Sequence, residues 1–190
     1  MPQFDSLIGF LDSRSFGTVW YWLVVIGTWS LTGRSVIGVP VEIVSRTRSA
    51  VQEGKGDCPV VLHLLDWLSL VLPRWRLGRQ EGLAFLAVTG FSLTSLAILG
   101  IGYALELALA AFLLLLPFAI LFWMRVALAR RLMPLLEAAE QGARPIPEAA
   151  AEAVRRMVIH RRLVTALSMA AVAVTALWGA LWSVIHPYGF

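Results

Sequence analysis

Four long apolar runs, at about 15–33, 83–101, 104–124 and 163–185, alternate with two polar stretches, 34–82 and 125–162, that hold fifteen of the sixteen Lys and Arg residues. Only Arg14 falls elsewhere. A run of about 20 apolar residues has the length of a helix that crosses a bilayer. In hydrocarbon every backbone N–H and C=O must find its partner within the segment, so such a run is helical. Short loops rich in Lys and Arg stay on the cytoplasmic side. The pattern therefore predicts an all-α membrane protein with four transmembrane helices and both ends outside. It forms a single membrane domain over 1–190, with 34–82 and 125–162 cytoplasmic.

Composition agrees. The chain is 58% hydrophobic and 15% charged, whereas soluble domains run about 45–50% and about 25%. A net charge of +4 could suggest nucleic acid. The cations flank the apolar runs instead of covering one soluble surface, so the bilayer and its anionic lipids are the expected partners, with no nucleic acid. Acidic Asp5 and Asp12 precede the first cation, the wrong polarity for a cleaved leader, so the first run is expected to stay as a span. The lone Cys58 excludes an intramolecular disulfide and a cysteine-built metal site. It is expected to be a reduced loop thiol.

Phe4, Leu7, Ile8 and Leu11 fall at helical spacing and predict a short helix lying on the outer surface. Trp20, Tyr21 and Trp22 near one end of the first run, and Trp29 near the other, suit the aromatic belts of a bilayer. Gly38-Val39-Pro40 breaks the chain, and 45–58 reads as a polar loop. The apolar stretch 59–73 is too short to span. It is expected to be an interfacial helix, with re-entrant or protein-packed placement as alternatives, and His63, Asp66 and Ser69 form a narrow polar edge along it.

In the second span Ala87, Gly90, Thr94 and Ala97 form a small-residue face, as do Ala171, Thr175 and Gly179 in the fourth. Gly100-Ile101-Gly102-Tyr103 predicts a tight turn and Pro117 a kink. The third and fourth spans are expected to extend past the bilayer as a cytoplasmic helical hairpin broken at Gln141–Pro147. Met133, Leu136, Ala139, Ala150, Val154 and Met157 pack between its arms, and a Glu152–Arg156 pair lies on its surface.

Two features are candidate sites. Arg125, Arg130 and Arg131 should face Arg155, Arg156, Arg161 and Arg162 across the base of the hairpin. That cluster sets topology and can bind anionic lipid headgroups or an acidic partner, each cation near an anionic leaflet contributing about 1 kcal/mol. Glu106 is a carboxylate between two apolar runs, a candidate intramembrane polar site, which its place at a helix start also suits to capping. His63 with Asp66 offers a hydrogen-bonded pair but too few ligands for a metal, and His160 and His186 lie at different depths. No phosphate loop, nucleophile elbow, zinc motif or dinucleotide fingerprint occurs, so no catalytic, cofactor-binding or metal-binding residue is predicted.

The segments Asp12-Ser13-Arg14-Ser15-Phe16, Trp20-Tyr21-Trp22 and Gly38-Val39-Pro40 resemble a family of uncharacterised bacterial inner-membrane proteins. Some of its members are labelled as a component of the Suf iron–sulfur assembly complex. The resemblance covers roughly the first 45 residues. It implies a multi-pass protein of the bacterial inner membrane and a non-catalytic association with an assembly machine. The expected function is that of a non-enzymatic accessory, scaffold or interaction subunit with a basic cytoplasmic face. A small, oligomeric transporter or channel is the second expectation, and a lipid-modifying membrane enzyme the third.

Overall fold

The computed structural model of the chain describes residues 15–55 and 58–185. The surface helix expected at 4–11 lies outside the described residues, as do Arg14, His186 and Tyr188. The protein is mostly helical. In chain order it runs α1 (Val19–Thr32), β1 (Ser35–Val36), β2 (Val39–Pro40), α2 (Val41–Gln52), α3 (Pro59–Val71), a 3₁₀ turn (Leu72–Trp75), α4 (Arg79–Ala97), a π turn (Ile98–Gly102), α5 (Glu106–Glu140) and α6 (Ile146–Ile185). Three helical segments, Arg79–Gly102, Glu106–Glu140 and Ile146–Ile185, are long and apolar enough to cross a membrane. The helix in the first apolar run has only 14 residues.

By contact density the described chain divides into two units. The first takes the residues up to Ser30, Arg79–Ile120 and those from Ala166 onward. Its best-buried cluster is small: Phe16, Leu109 and Ala110, flanked by Tyr21, Leu113 and Trp182. Trp29 stacks on Phe118 at 5.0 Å, and the Tyr21 hydroxyl donates to the Ala110 carbonyl at 3.1 Å. The small face predicted on α6 is a packed one: Thr175 and Gly179 are buried, and Phe16 lies against Gly179. The small face predicted on α4 is not. Ala87, Gly90 and Thr94 are exposed, and α4 buries none of its residues. An apolar helix without a buried face needs lipid or another protein against it.

The second unit comprises Leu31–Gly78 and Leu121–Thr165. The chain break expected at Gly38-Val39-Pro40 is a two-residue hairpin, with Val36 paired to Val39. Its turn residues Ile37 and Gly38 have φ of 53° and 91°, the positive angles that a type I′ turn requires at both central positions. The polar loop expected at 45–58 is corrected over most of its length: α2 occupies Val41–Gln52. Val44 and Thr47 recur at i, i+3 and face inward, while Glu42 and Arg46 pair on the outer side. That stripe is too narrow to stand out in a segment where seven of the twelve residues are polar.

The apolar stretch 59–73 forms α3 and the following 3₁₀ turn, and its inward face is covered by protein: Val61, Leu64, Leu68 and Leu72 are buried. Leu64, Leu68 and Leu72 join Val36, Ile37, Val39 and Val44, and Leu128, Ala129, Leu132, Ala153, Val154 and Met157 from α5 and α6, in one core. The hairpin packing expected between 133 and 157 is thus present but shifted toward 128–132. The Glu152–Arg156 pair forms, at 2.8 Å, and Arg156 also donates to the Arg131 carbonyl at 2.6 Å. Arg156→Ala is expected to cost about 1 kcal/mol in thermal unfolding, because the guanidinium is only partly covered and water replaces one of its partners.

Candidate functional site

In the second unit α2 lies beside the 151–165 segment of α6, and the sequence places Arg48 on one and Arg155, Arg161 and Arg162 on the other. Arg48, Arg161 and Arg162, with Ser45 and Thr165, line a groove of about 330 Å³. A neighbouring groove of about 400 Å³ is lined by Arg48, Arg155, Arg162 and Gln52. Among the described residues, no carboxylate lies within 4.0 Å of Arg48, Arg161 or Arg162, whereas Arg155 is 3.9 Å from Glu152. Uncompensated guanidinium groups grouped on one face present planar forks that match carboxylate and phosphate oxygens.

The predicted arginine cluster is therefore only partly assembled. Arg161 and Arg162 share one groove and Arg155 and Arg162 its neighbour; Arg156 is engaged by Glu152 and the Arg131 carbonyl; Arg130 and Arg131 are exposed. Arg48 also belongs to the groove, and nothing in the polar sequence around it signals this, because that polarity predicts a loop. Arg125 lies elsewhere, half-buried with its guanidinium 5.9 Å from the centre of the Trp75 ring.

Arg125, His160 and Arg161 line a third cavity, of about 210 Å³, together with Thr32, Ser35 and Thr165. His160 is 6% exposed. It lies before the uncharged run 163–185, and Arg125 is the first residue beyond the run ending at Met124, so both stand outside the expected spans. Burial, and then the Arg125 charge, pulls the His160 imidazole down to about 4 from its ordinary 6.5. Burial also pulls Arg125 below its usual range. The buried stripe Ala150, Ala153, Met157 continues by three residues to His160, a periodicity that could have placed this histidine inside.

The sign of the resulting pH dependence is fixed. Between about 6.5 and 4 the unfolded chain holds a proton at His160 that the folded chain does not, so stability falls as pH drops through that window. Thermal unfolding in neutral detergent is expected to show this loss, and His160→Gln to reduce its slope.

Glu106 is buried in the first unit at the start of α5. Its Oε1 accepts the backbone N–H groups of Ser15 and Phe16, both at 2.6 Å. The carboxylate accepts from the backbone of a turn 90 residues away in the chain, where its position predicts capping of its own helix. His63 and Asp66 do not pair: Trp67 donates to His63 Nε2 at 2.7 Å, and Ser69 to the Asp66 carbonyl. Among the described residues no three His, Cys, Asp or Glu side chains converge as metal ligands would.

Comparison with family models, with curated proteins and with solved structures returns no match.

Proposed function

We propose that this chain is a non-enzymatic integral membrane protein of the bacterial inner membrane, an accessory or scaffold subunit whose basic face docks an acidic protein partner. It spans the bilayer four times, with both ends outside and the second unit in the cytoplasm. The first span is the 14-residue helix α1 extended by the turn before it, capped by Glu106. The observation that carries this reading is the groove in which Arg48, Arg161 and Arg162 face no carboxylate among the described residues. The resemblance of the first 45 residues to inner-membrane proteins linked with an assembly complex points the same way. A transporter reading would lean on Glu106, and that carboxylate is already committed to two backbone donors.

Two measurements test it. Purification of the full chain in mild detergent should retain one stoichiometric companion, released by salt and absent when Arg48, Arg155, Arg161 and Arg162 are all changed to Gln. A solitary monomer, or a companion indifferent to those changes, overturns the docking role. Reporter fusions in the 142–147 turn should report the cytoplasm; a periplasmic signal overturns the topology. Flux through proteoliposomes that Glu106→Gln abolishes would favour the transporter.

A further inference from the structure

The cavity bounded by Arg125, His160 and Arg161 differs from the outer groove in holding a buried polar side chain, His160, beside a half-buried guanidinium, Arg125. His160 is more than nine-tenths covered and, among the described residues, neither ring nitrogen has a hydrogen-bond partner. Buried polar side chains without partners are uncommon, since each forfeits about 1–3 kcal/mol of hydration without a replacement bond. Beside it Arg125 is half-buried with no carboxylate within 4.0 Å among the described residues. A guanidinium withdrawn from water without a counter-charge is likewise costly. Its contact with the Trp75 ring, 5.9 Å from guanidinium to ring centre, offsets part of that cost. One ligand would meet both deficits, an oxyanion that accepts from the Arg125 and Arg161 forks and from an imidazole N–H.

We propose that the cavity formed by Arg125, His160 and Arg161 binds a phosphate-type oxyanion. A volume of about 210 Å³ is several times the roughly 30 Å³ that a water molecule occupies in the liquid, enough for a tetrahedral phosphate. Arginine supplies paired parallel donors to two of its oxygens, and Ser35 lines the same space. Basic pockets beside the ends of spans suit lipid headgroups, so the phosphate can belong to an anionic phospholipid or be a free ion. Arg161 lines both the outer groove and this cavity, whereas Arg125 and His160 line the cavity alone, so His160→Phe separates this inference from the docking role.

A bound anion also changes the histidine. The charged groups lining the cavity are Arg125 from α5 and Arg161 from α6; the hairpin side contributes only Thr32, Gly33, Ser35 and Val36. With an anion between those arginines, imidazolium formation becomes favourable where it was opposed. Affinity for sulfate, whose own charge is constant there, should therefore rise as pH falls from neutral into the mildly acidic range.

The test uses the delipidated full chain in neutral detergent, followed by thermal unfolding. Sodium phosphate and sulfate are titrated at constant ionic strength against chloride, and phosphatidylglycerol is titrated separately against phosphatidylcholine. A raised midpoint with phosphate assigns the site to a free ion; one with phosphatidylglycerol alone assigns it to a headgroup. Arg161→Gln, an exposed position that should fold, is expected to weaken the response at least tenfold, and His160→Phe to remove its pH dependence. Arg130→Gln should leave both unchanged. No shift with either ligand, or a shift that survives Arg161→Gln and His160→Phe undiminished, overturns the proposal.

Discussion

Glu106→Ala is expected to weaken the first unit by roughly 2–6 kcal/mol, about 1–3 for each of the two buried backbone N–H groups it would leave without an acceptor. Those donors, on Ser15 and Phe16, start the turn that leads into α1, and Phe16 in turn packs on Gly179 of α6. Losing the carboxylate therefore frees a turn that closes over α6. Glu106→Gln keeps an oxygen acceptor and forgoes only the charge, so its cost should be on the order of 1 kcal/mol. Unfolding of the two variants in detergent, with wild type alongside, separates these. If alanine costs no more than glutamine, the carboxylate is not the clamp that its two short bonds describe.

Gly100→Ala should produce the second large loss, at or above the upper end of the roughly 1–3 kcal/mol seen when a packed core is overfilled. A Cβ at position 100 would stand 2.7 Å from both the Cα and the backbone nitrogen of Leu109. Backbone atoms cannot swing aside as a side-chain tip does, so α4 and α5 would have to separate at the π turn that joins them. Gly90 is the matched control: it lies mid-helix on α4 with nothing within 4 Å of its would-be Cβ. Gly90→Ala should unfold no more easily than wild type, since alanine favours a helix interior over glycine by about 0.5–1 kcal/mol. Equal effects from the two alanines would show that the close approach at Leu109 does not hold the turn in place.

The glycine comparison also shows where local reading succeeds and where it stops. Gly100 and Gly102 announced a turn, and a turn is there, but nothing in their spacing says which of them has a backbone pressed against it. Small residues at helical spacing marked a face on α4 and another on α6; only the second is packed within the described chain. Similar patterns have different outcomes because a small face permits close approach without supplying the neighbour. The polar segment at 45–58 failed for another reason. Its buried stripe, Val44 and Thr47, is two residues wide, and a helix over Val41–Gln52 gains most of its stability from the core it joins.

For the candidate site the division falls along chain distance. Arg155, Arg156, Arg161 and Arg162 share one helix, so their grouping follows from 3.6-residue periodicity and was legible. That Arg156 is neutralised while Arg48 takes its place beside Arg161 and Arg162 depends on α2 packing against α6. Likewise the burial of His160 next to Arg125 needs two helices and the hairpin to meet.

By itself the amino-acid sequence determined the helical class, three membrane-length apolar segments, the continuous helices at 106–140 and 146–185 with their break between, and the crowding of cations into two stretches. Those are consequences of hydropathy and local periodicity, which act over a few turns of chain. Tertiary structure alone decided which arginines stay uncompensated, that Glu106 holds the turn at Ser15 and Phe16, and that a histidine is enclosed with two guanidinium groups. Each of those depends on the desolvation of a polar group by residues far away in sequence, and no local pattern encodes what will cover it.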